Sequence, residues 1–137
     1  MSNLSLGITG QAAKVLIVEG EPVVALVIRQ ILGRVGLKCE WVPDGHSALS
    51  RLEDGGFDLL ITCNESPHFS GCELVESVRA MGFRGPIVVH SSPLTQKDTN
   101  RYRALGVTEF LVKPCALLDF LAMLRRLGLV SGSSEFH

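Results

Sequence analysis

Five short apolar runs alternate with segments of helical periodicity along the chain: KVLIVE (14–19), KCEWV (38–42), FDLLIT (57–62), PIVVHS (86–91) and TEFLV (108–112). No other feature narrows the fold as much. The first, third and fourth runs are nearly continuous in apolar residues, as expected of strands covered on both faces. Between the runs, Val24, Ile28, Ile31 and Val35 recur at helical spacing within 22–35, and Pro22 fits the first turn of such a helix. Asp44 can cap a short helix bearing Ala48, Leu49 and Leu52, which Gly55 and Gly56 end. Leu74, Val78 and Met81 share a face in 72–82, and Leu117, Phe120, Leu121, Leu124 and Leu127 form the strongest stripe, in 115–127. The segment 94–106 offers the core only Leu94, Tyr102, Ala104 and Leu105, so a loosely held helix is expected there.

Strands alternating with helices imply βαβ units, right-handed crossovers and a doubly wound parallel sheet: an α/β fold. In such a sheet, chemistry gathers beyond the carboxyl ends of the strands. The residues to inspect are therefore Glu19, Gly20 and Glu21, Cys63 to Glu65, His90 to Ser92, and Lys113 with Pro114. A chain of 137 residues that is 46% hydrophobic and 20% charged suits one globular domain, expected over 13–127. Residues 1–12 read as a flexible leader and 128–137 as a linker or tag remnant. A net charge of -1, from 13 basic and 14 acidic residues, gives no electrostatic case for nucleic acid or an anionic membrane. No apolar run approaches the roughly 18 residues needed to span a bilayer, and a cytoplasmic address is the default expectation. Cys39, Cys63, Cys72 and Cys115 make no Cys-x-x-Cys pair, which argues against a disulfide scaffold or structural zinc.

Four pieces, VLIVEGEP, FDLLITCNESPHFSG, PIVVHSS and ALGVTEFLVKP, stand in an order and at a spacing that resemble the receiver domain of bacterial two-component response regulators. The resemblance spans about residues 13–127. It implies a flavodoxin-like (βα)5 architecture with strand order 2-1-3-4-5, and a regulatory module rather than an enzyme. In that family an acidic pair after the first strand binds Mg²⁺, an aspartate ending the third strand accepts phosphate, and a hydroxyl and a lysine contact the phosphoryl oxygens. Carried over by residue, the hydroxyl is Ser91, the lysine Lys113 and the aromatic switch position Phe110. Two positions depart from the pattern. The acidic pair reads Glu19–Gly20, and the phosphoacceptor position is Cys63.

Each departure has a physical consequence. Mg²⁺ needs hard oxygen ligands at about 2.0–2.1 Å, so the missing side chain at Gly20 and the soft sulfur of Cys63 leave Glu19, with Glu65 nearby in sequence, as a degenerate metal site. Weak or absent Mg²⁺ binding, and no other cofactor, are expected. Lys113 can instead pair with Glu19, and Ser91 can bond a backbone group. Phe110 reads more readily as core than as a switch. His90 should point away from Ser91, because neighbours on a strand face opposite ways. Three functions stay open. One is an atypical, phosphorylation-independent receiver that binds protein partners: a histidine kinase, an output domain, another regulator or a second copy. It would use the face of the fourth helix, fifth strand and fifth helix, with Tyr102 and Arg103 as contacts. The second is a phosphoacceptor with unusual chemistry at Cys63 or Glu65. The third is a redox switch, in which Lys113 lowers the pKa of the Cys63 thiol.

Overall fold

A computed structural model describes residues 12–67 and 69–130. Nearly all of the leader expected over 1–12, His68, and residues 131–137 of the trailing segment lie outside the described residues. Elements follow in the order β1 (Lys14–Val18), α1 (Pro22–Arg34), β2 (Lys38–Val42), α2 (Gly45–Glu53), β3 (Leu59–Thr62), β4 (Glu65–Ser66), β5 (Phe69–Ser70), α3 (Gly71–Ala80), β6 (Ile87–Ser91), α4 (Gln96–Ala104), β7 (Glu109–Val112) and α5 (Leu117–Arg126). Five strands form one parallel sheet in the order β2-β1-β3-β6-β7. With the small antiparallel β4–β5 hairpin set aside, this is the flavodoxin-like order 2-1-3-4-5. The sequence gives no hint of that hairpin, because two residues on either side of a turn are too few to show a period.

Local chemistry accounts for the element ends. The carboxylate of Asp44 accepts the Ser47 N–H at 2.7 Å and starts α2. Ser70 and Thr95 do the same for α3 and α4, accepting from Glu73 and Asp98. Pro22 opens α1, where its missing N–H costs nothing.

Alternation along the strands divides the core into two layers. Leu16, Val18, Leu60 and Val89 pack with α2, α3 and Tyr102 of α4. Val15, Ile17, Leu59 and Val88 pack with Ile28 and Leu32 of α1 and with Phe120 and Met123 of α5. Fully burying each such Leu, Ile or Phe stabilises the fold by about 1.5–3 kcal/mol, so β1, β3 and β6 carry much of the stability. Leu129 and Val130, just beyond α5, also pack on the second layer. Of the residues in α4, only Tyr102 is buried. No helix among the described residues is long and apolar enough to cross a membrane.

Candidate functional site

The carboxyl ends of β1, β3, β6 and β7 deliver Glu19, Cys63, Ser91 and Lys113 to one crevice. Parallel register sets their heights. The Cys63 N–H donates to the Val18 carbonyl at 3.2 Å, and the Lys113 N–H donates to the Ser91 carbonyl at 2.8 Å.

Glu19 is 3% exposed and held on every side. Its Oε1 lies 3.2 Å from Lys113 Nζ, and its Oε2 accepts the Glu21 N–H at 3.2 Å. Its backbone N–H donates to Val42, and its carbonyl accepts the Trp41 indole N–H at 2.8 Å. Both carboxylate oxygens are therefore engaged. Sequence reasoning anticipated the Glu19–Lys113 pair as one option but missed Trp41, whose edge-strand position says nothing of where its ring reaches.

Cys63 is also 3% exposed. Burial pushes its thiol pKa up, and the Glu19 carboxylate adds to this; Lys113 acts the other way and is outweighed. This corrects the expectation that Lys113 makes the thiol acidic. Burial and the neighbouring carboxylate thus disfavour the thiolate on which the redox reading depends.

The Ser91 hydroxyl donates to the Ser92 carbonyl at 2.7 Å. His90 faces the other layer, with its ring 5.4 Å from Phe120. Phe110 is half-buried and meets Tyr102 edge-on, with ring centroids 6.2 Å apart. Arg103 is exposed and stands over the Phe110 ring at 5.7 Å. Tyr102 is 0% exposed, so it offers no contact surface and only Arg103 of the expected pair does. Its phenol turns inward and donates to Asn64 Oδ1 at 2.6 Å. Neither partner's role was visible in the sequence, since the bond joins positions 38 residues apart.

Gly20 leaves a gap that the hairpin fills: a Cβ there would stand 3.1 Å from Ser66 Cβ. Glu65 is exposed on β4. Among the described residues, no three His, Cys, Asp or Glu side chains converge as metal ligands would. One carboxylate already bound to an ammonium, a soft thiol sulfur and a glycine do not fit a hard octahedral cation.

Comparison with known proteins places this architecture. The family model for the response regulator receiver domain matches residues 15–125. Among curated relatives, the autoinducer 2 sensor kinase/phosphatase LuxQ of Vibrio vulnificus is 28% identical over 106 residues, 77% of this chain and 12% of LuxQ. The transcriptional activator protein IrlR of Burkholderia pseudomallei is 30% identical over 119 residues, 82% of this chain and 48% of IrlR. The chain thus spans under half the length of either relative. Among solved structures, chemotaxis protein CheY4 of Vibrio cholerae superposes with a TM-score of 0.81 at 28% identity, covering 85% of this chain and 99% of CheY4. The signal receiver domain of a histidine kinase from Syntrophus aciditrophicus gives 0.76 at 27% identity, covering 90% and 96%. The chain belongs to the response regulator receiver domain family.

Proposed function

We propose that this chain is an atypical receiver that works without phosphorylation, as a protein-interaction module of a two-component system. One observation carries the reading: Glu19 and Lys113, which in the family serve metal and phosphoryl group, neutralise each other beside Cys63, a buried thiol at the phosphoacceptor position. Phosphoryl transfer is catalysed almost wholly by positioning and by cations that meet the developing charge. Here the metal's ligands do not fit Mg²⁺, and the lysine is already paired. The module is accordingly not an enzyme and takes no cofactor.

Its partner is a histidine kinase, an output domain, another regulator or a second copy, docking on the face of α4, β7 and α5, where Arg103 and Val112 are exposed. Neither nucleic acid nor membrane is a partner of this domain, and its place is the cytoplasm. Trp41, bonded to the Glu19 carbonyl, is a built-in reporter for the test. Titrating the protein with Mg²⁺ and beryllofluoride, or with acetyl phosphate, should leave Trp41 fluorescence and the strand-end NMR signals unchanged. A saturable response at those positions overturns the reading.

A further inference from the structure

Three features meet directly beneath Cys63. Asn64, the next residue, accepts from the Tyr102 phenol at 2.6 Å. Its carbonyl accepts the Gly71 N–H at 2.6 Å, which fixes the first turn of α3 against the end of β3. Gly71 has no room for a side chain: a Cβ would collide with the Tyr102 hydroxyl and the Cys63 carbonyl oxygen. Tyr102 is the one buried residue of α4, and its ring meets Phe110 of β7. A single side chain thus reaches from α4 through the core to the residue that follows Cys63 and also meets Phe110 of β7.

The route the family would use is otherwise engaged. The Ser91 hydroxyl is bonded to the Ser92 carbonyl, and the Phe110 ring is in edge contact with Tyr102. We propose that the Tyr102–Asn64 hydrogen bond is the joint that fixes α4 to the crevice, so that the partner face is set by this contact rather than by a phosphoryl group acting through Ser91 and Phe110. The proposal rests on the phosphorylation-independent reading above. Tyr102 is a positioning residue: it holds the face and touches no partner itself. A buried hydroxyl whose acceptor is supplied tolerates one arrangement and rejects others, because leaving either group unpaired in the core is costly.

Two measurements test it on the full chain. Tyr102→Phe keeps the ring and removes the hydroxyl, and should speed amide hydrogen exchange in α4 about fivefold to tenfold while the amides of β1 and β3 keep their rates. Equal acceleration in helix and sheet means a merely structural bond and overturns the proposal. In the second, Cys63→Asp perturbs the crevice, with Cys63→Ser as the substitute should the aspartate prevent folding. The perturbation should shift the amide signals of Thr99 and Arg103 in the parent background and leave them in place in the Tyr102→Phe background. Shifts that persist without the hydroxyl also overturn the joint. The two levels separate cleanly. A beryllofluoride response at Trp41 sinks the phosphorylation-independent reading and the joint's premise with it; a silent Trp41 with persistent α4 shifts sinks the joint alone.

Discussion

The two ends of the sheet treat their half-buried cations differently. At the amino end, Arg79 from the last turn of α3 donates to the carbonyls of Leu105 at 2.9 Å, Phe83 at 2.9 Å and Gly85 at 2.8 Å. These carbonyls belong to the loops that follow α3 and α4, so one guanidinium ties two helix ends together. At the carboxyl end, Lys113 meets a carboxylate instead. Arg79 satisfies backbone oxygens of two loops, whereas Lys113 and Glu19 chiefly cancel each other's charge. The first arrangement makes stability. The second consumes the groups that chemistry would need. Mutations should separate the ends accordingly.

The largest effect is expected at the amino end. Arg79→Ala strands several carbonyls at once and should cost about 3 kcal/mol in urea unfolding. Arg79→Lys should recover only part of it, since an ammonium lacks the planar fork that reaches carbonyls in two loops. A loss under about 1 kcal/mol for the alanine variant would erase the contrast between the ends.

Next comes His90, beside the crevice but facing α5. It is 5% exposed, its Nδ1 has no hydrogen-bond partner among the described residues, and burial, with Lys113 adding to it, pushes its pKa down to about 4. The unfolded chain takes up this proton near the ordinary value of 6.5, before the folded one does. The stability that a neutral His90 contributes is therefore fully present above about pH 6.5 and is lost as pH falls toward 4, by roughly 2–3 kcal/mol in all. His90→Leu should flatten that acid limb in denaturation curves recorded between those two pH values. An unchanged limb would place the acid-labile group elsewhere.

Glu19→Gln should cost less, about 1–2 kcal/mol, because Lys113 is partly exposed and keeps some hydration when its partner is neutralised. The same change removes one of the two influences that raise the Cys63 pKa, so alkylation of the Cys63 peptide should begin at lower pH than in the parent. Should the alkylation profile stay put, Glu19 is not the charge that Cys63 senses.

The same contrast shows what the amino-acid order reveals. Runs such as LLIT and IVVHS announce buried parallel strands because a sheet covered on both faces needs apolar residues at every position. Glu19, Cys63, Ser91 and Lys113 were found as strand-end residues, since topology alone carries such positions to one crevice. Three things stayed hidden. Whether Lys113 or Glu19 governs the thiol depends on desolvation, which a sequence does not display. Tyr102 reads from the sequence both as one of the few core residues of its segment and as a partner contact, because QKDTNRYRA has one large apolar side chain in a polar helix; only the fold shows it buried and reaching Asn64. Arg79 escaped notice for a similar reason, as its acceptors are main-chain carbonyls with no signature in the sequence.

The smallest effect is the most informative about the crevice. Gly20 sits where the family carries a second carboxylate, and the β4–β5 hairpin stands close beside it: Ser66 Cβ would lie 3.1 Å from a new Cβ. A contact that tight requires the hairpin to give by a few tenths of an ångström, so Gly20→Ala should cost roughly 0.5–1 kcal/mol, and Ser66→Gly should relieve it in a double-mutant cycle. This bears directly on attempts to rebuild a working acidic site. Cys63→Asp alone supplies one oxygen ligand and should gain little Mg²⁺-dependent response at Trp41. Adding Gly20→Asp supplies the second carboxylate but drives its Cβ against Ser66, so the pair should improve binding modestly, and the triple change with Ser66→Gly should improve it further. If the Gly20→Asp, Cys63→Asp pair already binds as tightly as the triple variant, the hairpin is not an obstacle, and the weak Mg²⁺ binding proposed for this end rests on the missing carboxylates alone.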